Sequence, residues 1–181
     1  MSTYISLLRA VNIGGTRLIS MDALRALYTG MGFDRVRTYI QSGNAVFASH
    51  LDDLSQLASQ VEAGIEQAFG FHVEVFIRRP QDFLHLLTHN PFLNERHADP
   101  SRLYLTLIYQ SPSEDAWGNL SPPAQTGDEF ARADQAVYLY LPNGYARTRL
   151  SNRFFEKTFG TPTTTRNWNT FKALYEIANT P

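Results

Sequence analysis

The chain has 181 residues, 43% of them hydrophobic and 13% aromatic, enough apolar material to bury a sizeable core in one domain or in two small ones. The absence of cysteine excludes a disulfide framework, a thiolate nucleophile, an iron–sulfur cluster and a cysteine zinc site. A formal charge of −1 argues against a protein that grips nucleic acid over its whole surface, although fourteen of the sixteen basic residues are arginine, the cation suited to planar anion recognition.

The opening MSTYISLLRAV lacks a basic leader, and Ser6 and Arg9 break its apolar run, so neither a signal peptide nor a membrane span is expected and the expected location is cytoplasmic. Residues 3–11 read as a central strand and residues 12–19 as a loop. Ser20 is placed to cap a helix whose apolar stripe is Met21, Leu24, Leu27, Tyr28 and Met31, and Gly32 stops it. Residues 35–40 and 45–48 are two short strands joined across Gln41-Ser42-Gly43-Asn44, a hairpin composition. Asp52 or Asp53 starts the longest helix, with Leu54, Leu57, Val61, Ile65 and Phe69 on one face and Gly70 at its end. Residues 72–78 then alternate as a strand. The order β-α-β-β-α-β is that of the ferredoxin-like plait, two helices over one face of a four-stranded antiparallel sheet.

Pro80 opens a short helix that ends before Asn90-Pro91. Residues 103–109 form a strand, and Ser111-Pro112-Ser113-Glu114 has the spacing of a capping box for a helix through Trp117. Strands near 129–132 and 137–141, a helix over 152–159, a strand near 163–166 and a last helix capped by Asn167 complete a second plait. The expected class is α+β, with two tandem ferredoxin-like plaits: an amino-terminal plait over 1–79, a helical linker over 80–102, and a carboxy-terminal plait plus final helix over 103–181. No residue repeat relates the halves.

A right-handed crossover makes the first two strands of a plait parallel, so the loop after the first and the hairpin after the second share one end of the sheet. In this chain those are Val11-Asn12-Ile13-Gly14-Gly15 and Ile40-Gln41-Ser42-Gly43-Asn44. Glycine beside Asn, Gln and Ser exposes backbone N–H groups next to amides and hydroxyls, a composition that suits a polar or anionic ligand. Arg9 and Arg37 are expected near the same edge. The competing reading is a pair of tight turns that need glycine for positive φ. No G-x-G-x-x-G or Walker-type motif is present, so no cofactor is expected.

Other groups carry weaker signals. Ser42 lacks the G-x-S-x-G context of a nucleophile and has no His or acid beside it in sequence. His85 and His89 lie four apart on a helix, with His97 the nearest third candidate, but without H-E-x-x-H they read as surface histidines and no metal is expected. Thr165-Arg166-Asn167-Trp168-Asn169-Thr170 offers Arg166 to an anion and Trp168 to a ring, against a simpler reading in which Asn167 caps the last helix and Trp168 anchors it. Arg147, Arg149 and Arg153 form a local basic cluster.

The segments Tyr4 to Gly15, Arg37 to Phe47, Asn90 to Phe92 and Thr165 to Thr170 together closely resemble the bacterial domain-of-unknown-function family 1697 over essentially the whole chain. The resemblance implies two ferredoxin-like plaits and brings no established activity, substrate or cofactor. Many members resemble one another in carrying lysine directly after the glycine pair, where this chain has Thr16 and Arg17. Ligand-binding candidates are therefore Arg9, Asn12, Gly14, Gly15, Arg37, Gln41, Ser42, Gly43, Asn44, Arg166, Asn167 and Trp168.

Three functions follow as expectations. The leading one is binding of a small polar or anionic ligand, a nucleotide among the candidates, at the edge of the amino-terminal sheet. The second is RNA or single-stranded nucleic-acid binding, with Tyr4 and Phe47 on an open sheet face. The third is an enzyme of unknown reaction type using Ser42, Arg9 and Arg37, for which no general base is identifiable.

Overall fold

The computed structural model describes residues 1–121 and 127–180. It divides into two compact units, Met1–Leu84 with Ala173–Pro181 and His85–Lys172.

The first unit runs β1 (Ser2–Leu8), α1 (Met21–Gly30), β2 (Asp34–Tyr39), β3 (Asn44–Ser49), α2 (Leu54–Phe69) and β4 (Val75–Arg78), and α3 (Pro80–Thr88) begins at its end. Its sheet has the order β2-β3-β1-β4 and every pairing is antiparallel. Ser20 caps α1 by accepting from Ala23 N, and Asp53 caps α2 by accepting from Ser55 N and Gln56 N. Gly70 closes α2 in the left-handed conformation at φ 78°. The helical stripes read from the sequence bury Leu24, Tyr28, Leu57, Val61 and Ile65 against Tyr4, Leu8, Ala45, Phe47, Val75 and Ile77 from one face of the sheet.

Tyr4 and Phe47 sit at the centre of that core at 0% exposure, with Phe47 edge-on to Tyr28 at 5.3 Å. Their side chains point towards the helices, so the expectation that they lie on an open face is corrected. The other face offers no aromatic platform either, since Ile5, Leu7, Val46 and Phe76 are also buried.

After α4 (Pro91–Asn94), the second unit runs β5 (Leu103–Ile108), α5 (Glu114–Gly118), β6 (Glu129–Ala133), β7 (Ala136–Tyr140), α6 (Asn152–Phe159) and β8 (Thr163–Asn167), and α7 (Trp168–Asn179) follows. Its sheet order, β6-β7-β5-β8, repeats that of the first unit. The fold is thus α+β, with two tandem plaits.

Two local expectations need correction. The cap of α5 is Ser113, which accepts from Ala116 N, not Ser111; Glu114 is the first helical residue and forms a bidentate pair with Arg132 instead of closing a capping box. The fourth strand begins at Val75, not at residue 72, because pairing with β1 covers only Val75 to Arg78. Among the described residues, no helix is long and apolar enough to cross a membrane.

Candidate functional site

The loop after β1 is a miniature hairpin. Gly14 and Gly15 take φ of 59° and 75°, the two consecutive positive values of a type I′ turn, and Thr16 N donates to Ile13 O at 3.1 Å across it. The base of this hairpin is held by Asn12. Its Nδ2 donates to Ile19 O and to Gln41 O, both at 2.8 Å, and its Oδ1 accepts from Ile19 N at 2.8 Å. One amide therefore joins the loop to the β2–β3 turn, and the two glycine-bearing corners meet.

The contact is tight. Leu8 N donates to Gly43 O at 2.8 Å, and a Cβ on Gly43 would come within 2.5 Å of Val11 Cγ2 and 2.8 Å of Leu8 Cβ. Gly43 thus answers both a positive φ of 73° and a close approach. Asn44 is fully buried and donates to Tyr39 O and Ser42 Oγ, which locks the turn from within. The amides of Asn12 and Asn44 are used in bracing the corner. Arg9 pairs with Glu74 at 3.2 Å. Gly14, Gly15, Arg17 and Gln41 remain exposed, together with Ile13 at 65%, Leu18 at 64% and Ile40 at 49%.

Backbone strain is concentrated here. Ala10, Asn12, Arg17 and Ile40 have φ between 50° and 57°, apart from Arg17 at 49°. A β-branched residue such as Ile40 in that region costs on the order of 1–2 kcal/mol.

Arg37 takes a different position. In β2 the pairing with β3 slips between Asp34 and Arg37; Val36 packs against the helix-covered core, and Arg37 lies across from Val46. There Arg35, Arg37, Thr3, Val46, Ala48 and the segment Ala178 to Thr180 line a cavity of about 340 Å³. Arg37 donates through Nη2 to Thr180 O at 2.8 Å, whereas its Nε is buried and has no hydrogen-bond partner among the described residues. Arg35 is exposed, takes φ 51°, and has no ion-pair partner among the described residues. Arg35 was missed as a candidate; its place on the cavity wall goes with the irregular backbone between Asp34 and Arg37, for which the sequence carries no local signal.

In the second unit, Asn167 Oδ1 accepts from Thr170 N at 2.8 Å, which caps α7, and Trp168 is 3% exposed. Both take the structural roles that competed with ligand binding. Arg166 donates to Thr164 Oγ1 and Thr165 O, and burial pushes its guanidinium down to about 10, so it stays protonated at neutral pH. Ser42 Oγ accepts from Asn44 Nδ2 within the turn. His85 and His89 are exposed and their rings stack at 4.1 Å, and His89 Nδ1 contacts His85 O at 2.8 Å. Among the described residues, no three His, Asp or Glu side chains are grouped to hold a metal.

A family model described as "Protein of unknown function (DUF1697)" matches residues 1–138. Among solved structures, the chain is similar to the conserved bacterial protein SP0830 from Streptococcus pneumoniae, with 22% identity and a TM-score of 0.76 over 98% of this chain and 99% of that one. At that identity the likeness is one of fold. No curated protein matches the chain.

Proposed function

The chain belongs to the DUF1697 family of proteins of unknown function, and we propose that its amino-terminal unit binds a small anionic ligand at the margin of its sheet, in the cavity lined by Arg35 and Arg37. The observation that carries this reading is the buried Arg37 Nε, a charged donor with no acceptor among the described residues, at the wall of a cavity also lined by Arg35, which has no ion pair among them. Leaving such a donor unsatisfied costs roughly 1–3 kcal/mol, a cost that an incoming carboxylate or phosphate oxygen offsets. A volume of about 340 Å³ lies at the small end of ligand sites and suits an anionic head group.

On this reading the glycine corners support the site. Asn44 holds Tyr39 O at the end of β2, the strand that carries Arg37, and Asn12 ties that turn to the loop after β1. The hydrogen bond from Arg37 to Thr180 O leaves the guanidinium its remaining donors for a ligand.

Thermal unfolding with phosphate, sulfate, citrate and nucleoside monophosphates tests the proposal. A ligand at 100 times its Kd stabilises the native state by about 2.7 kcal/mol. Arg35→Ala, at an exposed position, should keep the fold and lose the ligand-dependent shift; an equal shift in that variant, or none with any anion, would reject the reading.

A further inference from the structure

In the second unit, positive charge gathers along the entry to α6 and the helix itself, down to its last turn. Arg147, Arg149, Arg153 and Lys157 fall within eleven residues, and all four are exposed. None forms an ion pair among the described residues. Two acids lie close by, Asp128, which is buried and accepts from Thr148 Oγ1 at 2.7 Å, and Glu156, whose Oε1 accepts from Thr163 N at 2.9 Å, so four cations stand against these two carboxylates and a positive excess remains.

Helix electrostatics disfavour part of this arrangement, whereas Lys157, in the last turn of α6, is well placed. Arg153 stands in the first turn of α6, beside the positive end of the helix dipole, and Arg153 and Lys157 are like charges four apart on one helix. The corresponding entry to α2 in the first unit has the favourable sign, with Asp53 capping the helix and Asp52 beside it. The plait therefore does not require a basic entry. Three of the four cations are arginine, whose planar fork matches two phosphate oxygens at once.

We propose that this face binds the phosphodiester backbone of a nucleic acid. The recognition is electrostatic and local, independent of the cavity at Arg35 and Arg37, and involves no stacking of bases on the sheets. With a net charge of −1 over the whole chain, attraction is confined to this patch and is strongest at low ionic strength.

Fluorescence anisotropy with labelled oligonucleotides of roughly 20 units, as single-stranded RNA, single-stranded DNA and duplex DNA, titrated from about 20 to 200 mM salt, tests this. Contacts from three or four cations predict a slope of log K against log salt of about −2 to −3.5. The tightest of the three arms identifies the form of nucleic acid bound. The variant Arg147→Gln/Arg149→Gln/Arg153→Gln should reduce the slope to about −1 or less and weaken binding at low salt at least tenfold, whereas the triple Arg→Lys variant should keep most of the slope. Thermal unfolding of each variant confirms the fold. Absence of binding at about 20 mM salt, binding by the triple glutamine variant within about twofold of the parent, or equal competition by polyglutamate of matched charge would overturn the proposal. Should the glutamine variant not fold, the parent's salt slope and the polyglutamate competition decide it.

Discussion

The two plaits share backbone bonds and one glutamate side chain, while the side chains at their corners differ. At the end of the first strand, Leu8 N donates to Gly43 O in one unit and Ile108 N to Gln135 O in the other, at 2.8 and 2.9 Å. One residue on, Arg9 N donates to Glu74 O and Tyr109 N to Pro162 O, each at 3.0 Å. A glutamate on the second helix accepts from the first residue of the last strand in both, Glu62 from Val75 N and Glu156 from Thr163 N, each at 2.9 Å. Gly43 and Gln135 both take positive φ, at 73° and 49°. Topology thus repeats the hydrogen bonds while, the helix glutamate apart, the residues supplying them change, which is why the halves show no evident residue repeat.

The surfaces then diverge. The corner of the first unit is sewn together by Asn12 and exposes Ile13, Leu18 and Ile40, whereas the corresponding corner of the second is joined by a bond from Gln135 Nε2 to Ser111 Oγ at 2.9 Å. The entries to α2 and α6 carry opposite charge. Features that differ at equivalent positions are not demanded by the fold, and the proposed basic surface at α6 lies among them.

Substitutions at paired positions can break this comparison. The largest effect is expected at Gly43→Ala, which forces a Cβ against Val11 and Leu8 at positive φ and should cost about 3 kcal/mol, while Gln135→Gly should stay within about 1 kcal/mol of the parent. Urea denaturation measures both; equal losses would mean that the corners are packed alike. Next comes Asn12→Ala, which leaves three backbone groups without their partner and puts alanine at φ 57°, for a loss of about 2–3 kcal/mol. The matching Ser111→Ala removes one exposed contact and should change stability by less than about 0.5 kcal/mol.

Glu62→Ala and Glu156→Ala sharpen the comparison from the other side. Each removes a charged acceptor from a strand amide, so each should cost about 1.5–2 kcal/mol, and the double variant should lose close to the sum. A much larger loss at one of them would show that the repeated bond is not energetically equivalent.

The smallest effects concern acid. The hydrogen bond from Tyr4, with Arg79 beside it, holds the Asp52 carboxyl below its ordinary range, and Arg132 does the same for Glu114. A carboxylate whose folded pKa is depressed adds stability that is complete above its unfolded value, near 4, and is lost as pH falls through the folded value. Both groups are exposed, so Asp52→Asn and Glu114→Gln should each flatten the acid limb only slightly. Denaturation midpoints followed from about pH 5 to about pH 2 give the comparison, and steeper acid loss in either variant would contradict the assignment.

Much of the fold was legible in the sequence because its signals are local. The caps Ser20, Asp53 and Asn167, the stops at Gly32 and Gly70, and the helical stripes follow from rules that act within a turn or two. Convergence of the glycine corners was legible from crossover handedness. What escaped were choices made by tertiary contact. Tyr4 and Phe47 alternate correctly along their strands, but period alone does not say which face the helices cover. Asn12 and Asn44 looked like ligand groups because sequence does not reveal that Ile19 O, Gln41 O and Tyr39 O stand within reach of their amides. Arg35 went unnoticed because its value depends on the segment 178–180, more than 140 residues away in the chain.

The irregular register of β2 carries a separate consequence. This strand is the outer member of its sheet, and its pairing with β3 slips between Asp34 and Arg37, with Arg35 held at φ 51°. An uninterrupted outer strand would present evenly spaced donors and acceptors on which a foreign strand could polymerise. The slip spoils that spacing and the flanking charges resist desolvation, so concentrated solutions of the protein should resist growth of fibrils from this side.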